Sequence, residues 1–203
     1  MSSSGGRLFA ALYDSLTAPL ERRLLAPLRR DLLGGLSGDI IEIGAGTGAN
    51  LDHVGRSARL VATEPNPAML RRVRVRRARL AKTNVALVQA AAEALPASDA
   101  SFDHAVCTLT LCTVANPTAA LSEVARVLRP NGRLHLIEHV RGEGALGRAQ
   151  DAVRPLWQAL AAGCIANRRT DLLLAACGFA VERRWTVRAA LGIPILVATA
   201  RPR

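Results

Sequence analysis

The chain has 203 residues, half of them hydrophobic, with 27 Lys and Arg set against 16 Asp and Glu for a formal charge of +11. That length supports one domain with a substantial core and leaves no room for a second catalytic domain. Its four cysteines, Cys107, Cys112, Cys164 and Cys177, form no Cys-x-x-Cys pair and have no matching histidine spacing, which argues against a zinc knuckle or a disulfide framework, and no metal is expected.

The opening Met-Ser-Ser-Ser-Gly-Gly is polar, and no basic, apolar, small-residue order follows it that would read as a secretory signal. Nor is there an apolar run of about 18 residues that could cross a membrane. A cytoplasmic protein is expected. Phe9 to Tyr13 and Pro19 to Leu33 have helical apolar spacing, and Arg22, Arg23, Arg29 and Arg30 alternate there with Leu20, Leu24, Leu25, Leu28, Leu32 and Leu33. Residues 1–34 are therefore expected to be a tail plus covering helices; docking on an anionic bilayer as a peripheral contact is the alternative. Residues 35–203 are expected to form the main domain of a single globular unit.

Strand patterns follow near 39–43, 59–64, 84–88, 102–107 and 133–139, with helices near 48–54, 67–81 and 117–128 between them. Arg129-Pro130-Asn131-Gly132 should stop a helix and turn the chain into the next strand. A Gly-rich connector, 141–147, leads to helices near 149–162 and 168–177, and an antiparallel finish is expected over 179–187 and 193–200. Alternating helix and strand predicts an open, mainly parallel α/β sheet covered on both faces. His104 and His135 fall inside strand patterns and read as structural. Arg71 to Arg79 is the densest basic run, but none of the six aromatic residues interrupts it, so a solvated helix face is expected and no stable nucleic-acid partner.

The most informative stretch is Asp39-Ile-Ile-Glu42-Ile-Gly44-Ala45-Gly46-Thr-Gly48-Ala-Asn50, a strand that runs into Gly-x-Gly-x-Gly. Glycines there let the backbone approach a nucleotide-like ligand, and a helix N-terminus faces it. Dinucleotide sites space the third glycine one residue later, and the phosphate-binding Gly-Lys-Ser/Thr ending is absent. About 20 residues on, Glu64 ends the next strand, where a ribose diol would lie. A tight turn and a simple helix cap are the structural alternatives.

This pattern resembles motif I of the class I S-adenosylmethionine (SAM) methyltransferases, and the chain order resembles their seven-stranded, doubly wound, mainly parallel Rossmann-like sheet with an antiparallel final strand beside the fifth. The resemblance implies SAM as cofactor, S-adenosylhomocysteine as product and a small-molecule methyl acceptor. It implies cofactor contacts from Glu42, Gly44, Ala45, Gly46, Gly48, Asn50 and Glu64, with Pro65 and Met69 packing over the adenine. The segment Gln89 to Pro96 resembles the adenine-side motif, in which many members carry Asp where this chain has Ala91. Backbone groups of Ala91 and Ala92 and the Glu93 side chain are the expected substitutes. Tyr13, on a lid-like helix, either closes over the methionine end of the cofactor or anchors that helix.

A narrower resemblance lies in Cys107-Thr108-Leu109-Thr-Leu-Cys112-Thr-Val, Glu138-His139-Val140, Trp157, Gly163-Cys164 and Arg168, which look like the methyltransferase-like alkyl thiol methyltransferases. That family opens on a hydrophobic membrane anchor, where these first residues are polar and then amphipathic. Bacterial phospholipid amine methyltransferases share much of the core and a similar Tyr13-Asp14 opening. The resemblance implies a small, apolar acceptor, a thiol first and an amine or hydroxyl second, with Leu109, Cys112, Trp157 and Arg168 on its side. Open α/β sheets bind ligands at the carboxyl ends of their strands. Thr108 and His139 fall there, the first beside the cofactor and the second as base or acceptor-orienting group.

Overall fold

The computed structural model describes residues 17–161, 163–189 and 192–203. A π-helical turn, Glu21–Leu25, runs into α1, Ala26–Leu33, and then into β1, Gly38–Ile43. A 3₁₀ turn, Ala49–Asp52, precedes β2, Ala58–Thr63, α2, Pro67–Arg79, and β3, Val85–Val88. The chain continues through β4, Phe102–Thr108, α3, Pro117–Val127, β5, Leu128–His139, and α4, Gly144–Leu160. It ends with α5, Thr170–Ala176, β6, Phe179–Arg188, and β7, Pro194–Pro202.

The seven strands form one sheet in the order β3-β2-β1-β4-β5-β7-β6. Pairs from β3 to β5 are parallel, and β7 runs antiparallel between β5 and β6. The doubly wound, mainly parallel sheet expected from the sequence is therefore the fold. Strands β1 and β4 are buried on both faces, the pattern of a sheet covered by helices on each side. On one face Ile41, Ile43, Ala105, Leu134 and Leu136 pack against Leu121 and Val124 of α3. On the other, Ile40, Leu60, Val106 and Ile137 pack against Leu25, Leu32 and Leu33 of the N-terminal helix and Val73 of α2. Truncating a fully buried leucine such as Leu33 in either layer costs about 2–5 kcal/mol.

Local chemistry sets the helix starts. Asn66 precedes Pro67, and its side chain accepts from the N–H of Ala68 at 2.8 Å. Asn116 does the same ahead of Pro117, accepting from Ala119 at 3.1 Å. Each start pairs an amide N-cap with a proline whose missing N–H loses nothing in the first turn.

Several boundaries differ from expectation. The segment expected to be a helix over 48–54 is only a 3₁₀ turn, because Gly48 enters it in the left-handed region at φ 84°. Residues 144–147, expected as part of a connector, already belong to α4. A Cβ on Gly147 would meet the Gly142 carbonyl at 2.3 Å, so glycine lets the helix start against the preceding chain. Gln150 then bridges the gap, accepting from Gly142 N–H at 2.6 Å and donating to the carbonyls of Val140 and Ala166. The Pro130-Asn131-Gly132 segment does turn, but inside β5. Leu128 pairs with Phe102 and Arg133 with His104, so three more residues run on the β5 side than on β4 and bulge outward.

The N-terminal helix packs Leu25, Leu32 and Leu33 against the sheet and leaves Arg22, Arg23 and Arg30 exposed. Arg29, expected in that basic set, is instead 5% exposed. Along α2, Arg71, Arg74 and Arg79 are exposed, the solvated face read from the sequence. His104 and His135, each read from the sequence as structural, pair with each other, with His135 Nε2 at 3.1 Å from His104 Nδ1 and its Nδ1 at 3.4 Å from Thr199. No described helix is long and apolar enough to cross a membrane.

Candidate active site

At the carboxyl ends of β1, β2 and β4 a polar network closes around the glycine turn. Asn50 donates to Glu42 Oε1 at 2.7 Å and to Thr108 Oγ1 at 3.0 Å. Arg29 enters from α1, donating to Asn50 Oδ1 at 2.6 Å, to Thr108 Oγ1 at 2.7 Å and to Glu21 at 3.0 Å. Glu42, Asn50 and Thr108 are all buried. The other Glu42 oxygen, Oε2, is sealed from solvent with no hydrogen-bond partner. Burial raises the Glu42 pKa to about 7, against the opposing pull of Asn50 and the Arg29 charge.

Gly44 and Gly46 both have positive φ, 70° and 59°. A Cβ on Gly44 would lie 2.5 Å from the Thr110 methyl, so only glycine lets the β4 loop close over β1. A Cβ on Gly46 would meet nothing within 4 Å, and its backbone faces open space. Glu64, at the end of β2, accepts from Gly46 N–H and Asn66 N–H, each at 2.9 Å, and is 6% exposed. Burial raises its pKa, and the two N–H donors oppose the rise. An orphaned carboxylate oxygen, a buried guanidinium and an open glycine backbone form a set that fits a nucleoside carrying an amino-acid tail.

Of the residues expected against the adenine, Met69 and Ala92 are buried while Pro65 and Ala91 are exposed. Glu93 accepts from Asn116 N–H at 3.1 Å and so ties this turn to the start of α3. Tyr13 lies outside the described residues.

The side expected to receive the acceptor brings together the chain after β4, the end of β5 and the chain after α4. Leu109 leaves β4 with φ 56°, an uncommon value for a residue with a Cβ, and its N–H bonds the Ile137 carbonyl at 2.7 Å. The next turn is held by Glu138, which is fully buried and accepts from Thr110 N–H and Leu111 N–H at 2.7 Å and from Cys112 N–H at 3.2 Å. Burial raises the Glu138 pKa while these three donors hold it down. His139 Nδ1 then lies 4.0 Å from Cys112 Sγ and 3.7 Å from Cys164 Sγ. Their mutual contact, aided by burial, drives the Cys112 thiol up, while contact with Cys112 and His139 holds Cys164 down.

Trp157 and Ala161 pack against Cys112, Cys164 and Ala166. Arg168 donates to the Val114 carbonyl at 3.2 Å, and burial lowers its pKa. Of the sequence-derived acceptor residues, Cys112, Trp157 and Arg168 thus converge beside His139, whereas Leu109 packs with the other hydrophobic layer. Sequence reasoning missed Arg29, Glu138 and Cys164 as site residues. Arg29 sits at helical spacing from Leu25, Leu32 and Leu33, and a charge at a core position of an apolar stripe is the signal that marks it.

Residues 41–136 match the family described as a methyltransferase domain. The human thiol S-methyltransferase TMT1A is 31% identical over 187 residues, which span 90% of this chain and 77% of that protein. Human thiol S-methyltransferase TMT1B is 35% identical over 136 residues, 64% of this chain and 55% of that protein. A SAM-dependent methyltransferase of Thermotoga maritima shares the fold at a TM-score of 0.72 and 23% identity, over 97% of each chain. The chain belongs to the class I SAM-dependent methyltransferases, and SAM is its cofactor.

Proposed function

We propose that the protein transfers a methyl group from SAM to the sulfur of a small, apolar thiol. The observation that carries this reading is that the acceptor side offers no uncommitted carboxylate among the described residues. Glu138 accepts three backbone N–H groups, and His139 turns Nδ1 toward two sulfurs, leaving its Nε2 for an acceptor. A thiol needs little more. With an unperturbed pKa of about 8.5, roughly 3% is thiolate at pH 7. A phenol or a protonated amine would ask for a base. Two relatives named thiol S-methyltransferases, TMT1A and TMT1B, support the same choice.

SAM supplies an activated methyl group on a sulfonium. Holding the nucleophile in line with it can supply about 7–11 kcal/mol of the barrier. In this reading the Glu42 carboxylate and the Arg29 guanidinium receive the ammonium and carboxylate of the cofactor's methionine end, and Glu64 the ribose diol. The backbone of Gly44 to Gly48 gives the close approach, with Met69 and Ala92 against the adenine. Cys112, Trp157 and Ala166 form an apolar wall for the acceptor, and His139 orients its sulfur.

Incubation with SAM and a matched panel of thiols, amines and phenols tests the assignment. Alkyl thiols should give the thioether and S-adenosylhomocysteine in equal amounts. Methylation of amines or phenols with the thiols inert would overturn it and favour a lipid or metabolite amine or hydroxyl as acceptor.

A further inference from the structure

Cys112, His139 and Cys164 come from three separate places in the chain, the loop after β4, the last residue of β5 and the loop after α4. Among the described residues they form the one group of three Cys, His or carboxylate donors close enough to share an ion, with all three donor atoms within 4.8 Å of one another. We propose that they are ligands of a zinc-class divalent cation in a Cys₂His site whose fourth position is open.

Geometry carries the proposal. Zinc bonds sulfur at about 2.3 Å and imidazole nitrogen at about 2.0–2.1 Å, so tetrahedral angles place sulfur and nitrogen ligands about 3.6 Å apart. The observed separations from His139 Nδ1 are 3.7 Å to Cys164 and 4.0 Å to Cys112. Movements of a few tenths of an ångström would bring both sulfurs to coordinating distance from the His139 side, and the two sulfurs themselves lie within 4.8 Å of each other. Two thiolates and an imidazole select a borderline or soft cation over magnesium or calcium, and three protein ligands are the complement of sites that keep one position open.

The surroundings are those of a held ligand set. Cys112 N–H bonds Glu138 Oε2, Ile165 N–H bonds the Cys112 carbonyl at 2.7 Å, and Cys164 N–H bonds the Ala161 carbonyl at 3.0 Å. Both sulfur-bearing turns are therefore fixed before any ion arrives, and the two are tied to each other. Charge also balances. Two thiolates and the Glu138 carboxylate would be offset by a divalent ion and Arg168, whose Nε is buried with no partner. The Trp157 indole N–H, likewise sealed without a partner, stands in the same cluster, where a thiolate could accept from it. Two of the three ligands, Cys112 and His139, also stand on the acceptor side of the proposed function, but none belongs to the cofactor network around Glu42 and Glu64, so ion binding can be read apart from SAM binding.

The test is a cobalt titration of the full chain, reduced and stripped with a chelator. One equivalent should give the visible and near-ultraviolet bands of a tetrahedral thiolate site, and zinc should bleach them. Cys164→Ser and His139→Asn should each weaken zinc binding by more than about 100-fold, beyond the 10- to 100-fold that follows loss of an outer-shell partner. Cys177→Ser should bind like the parent. SAM binding by calorimetry checks that each variant is folded and reports separately on the methyltransferase reading. A parent protein without the stoichiometric cobalt spectrum overturns the proposal, as does an unchanged spectrum in Cys112→Ser/Cys164→Ser.

Discussion

Arg29 and Thr108 are 79 residues apart and joined by a 2.7 Å hydrogen bond that links the N-terminal helix to the end of β4. The same guanidinium donates to Asn50, whose amide bonds Glu42. A covering helix thereby delivers a buried cation to the glycine turn. Arg29→Met keeps much of the side-chain volume but leaves Asn50 Oδ1 without its donor, at a cost of about 1–3 kcal/mol. Its affinity for SAM should fall at least tenfold, while Arg22→Met, at an exposed position, should bind normally. Equal calorimetric affinities for the two variants would remove Arg29 from the cofactor site.

Strands β2 and β4 were legible because each is a short apolar run followed by a helix whose start carries its own signal, Asn66-Pro67 or Asn116-Pro117. The glycine turn was legible because its backbone requirement is local. Arg29 was not, since its burial depends on Thr108 and Asn50, which lie in other elements, and it looks like one more arginine in a chain rich in them. The Cys112, His139 and Cys164 group was hidden for the same reason. Separations of 27 and 25 residues match no local ligand spacing, and only the sheet order brings the three residues together. The start of α4 was missed because Gly144 and Gly147 read as a connector, although at Gly147 glycine serves close packing.

Glu64 should control both ligand and loop. Its two oxygens receive Gly46 N–H and Asn66 N–H, and further lone pairs remain for a diol. Charge-assisted bonds of this kind contribute about 1.5–3 kcal/mol each. Glu64→Ala should lose at least tenfold in affinity for SAM and for S-adenosylhomocysteine, with its far-ultraviolet circular dichroism intact. Wild-type affinity in that folded variant would sink the ribose assignment.

The His104 and His135 pair should make stability depend on acidity. Burial, then the neighbouring His104, lowers the His135 pKa to about 4 from an ordinary 6.5. Between those values the unfolded chain binds a proton that the folded chain refuses. Stability is therefore complete above about pH 6.5 and is lost as pH falls toward 4, by about 3 kcal/mol in all. His135→Gln should flatten that part of the melting profile between pH 6.5 and 4.5. Parallel profiles for mutant and parent would show that the histidine pair does not titrate on unfolding.

The Glu42 carboxylate should couple cofactor binding to pH in the same direction, with affinity rising as pH rises. Burial raises its pKa to about 7, so near neutrality about half of the ligand-free protein carries it protonated. Its orphaned Oε2 has nothing to pair with until a cation arrives. If the ammonium of SAM is that cation, binding favours the ionised form and releases a proton. Affinity should then rise roughly eightfold between pH 6 and 7.5, following the ionised fraction of a group with a pKa near 7. Glu42→Gln should bind more weakly at pH 7.5 and lose the slope, and calorimetry in buffers of different ionisation enthalpy should show proton release for the parent alone. A parent affinity that stays flat from pH 6 to 7.5 would mean that Glu42 keeps one protonation state throughout, leaving it to orient Asn50 rather than to receive the cofactor.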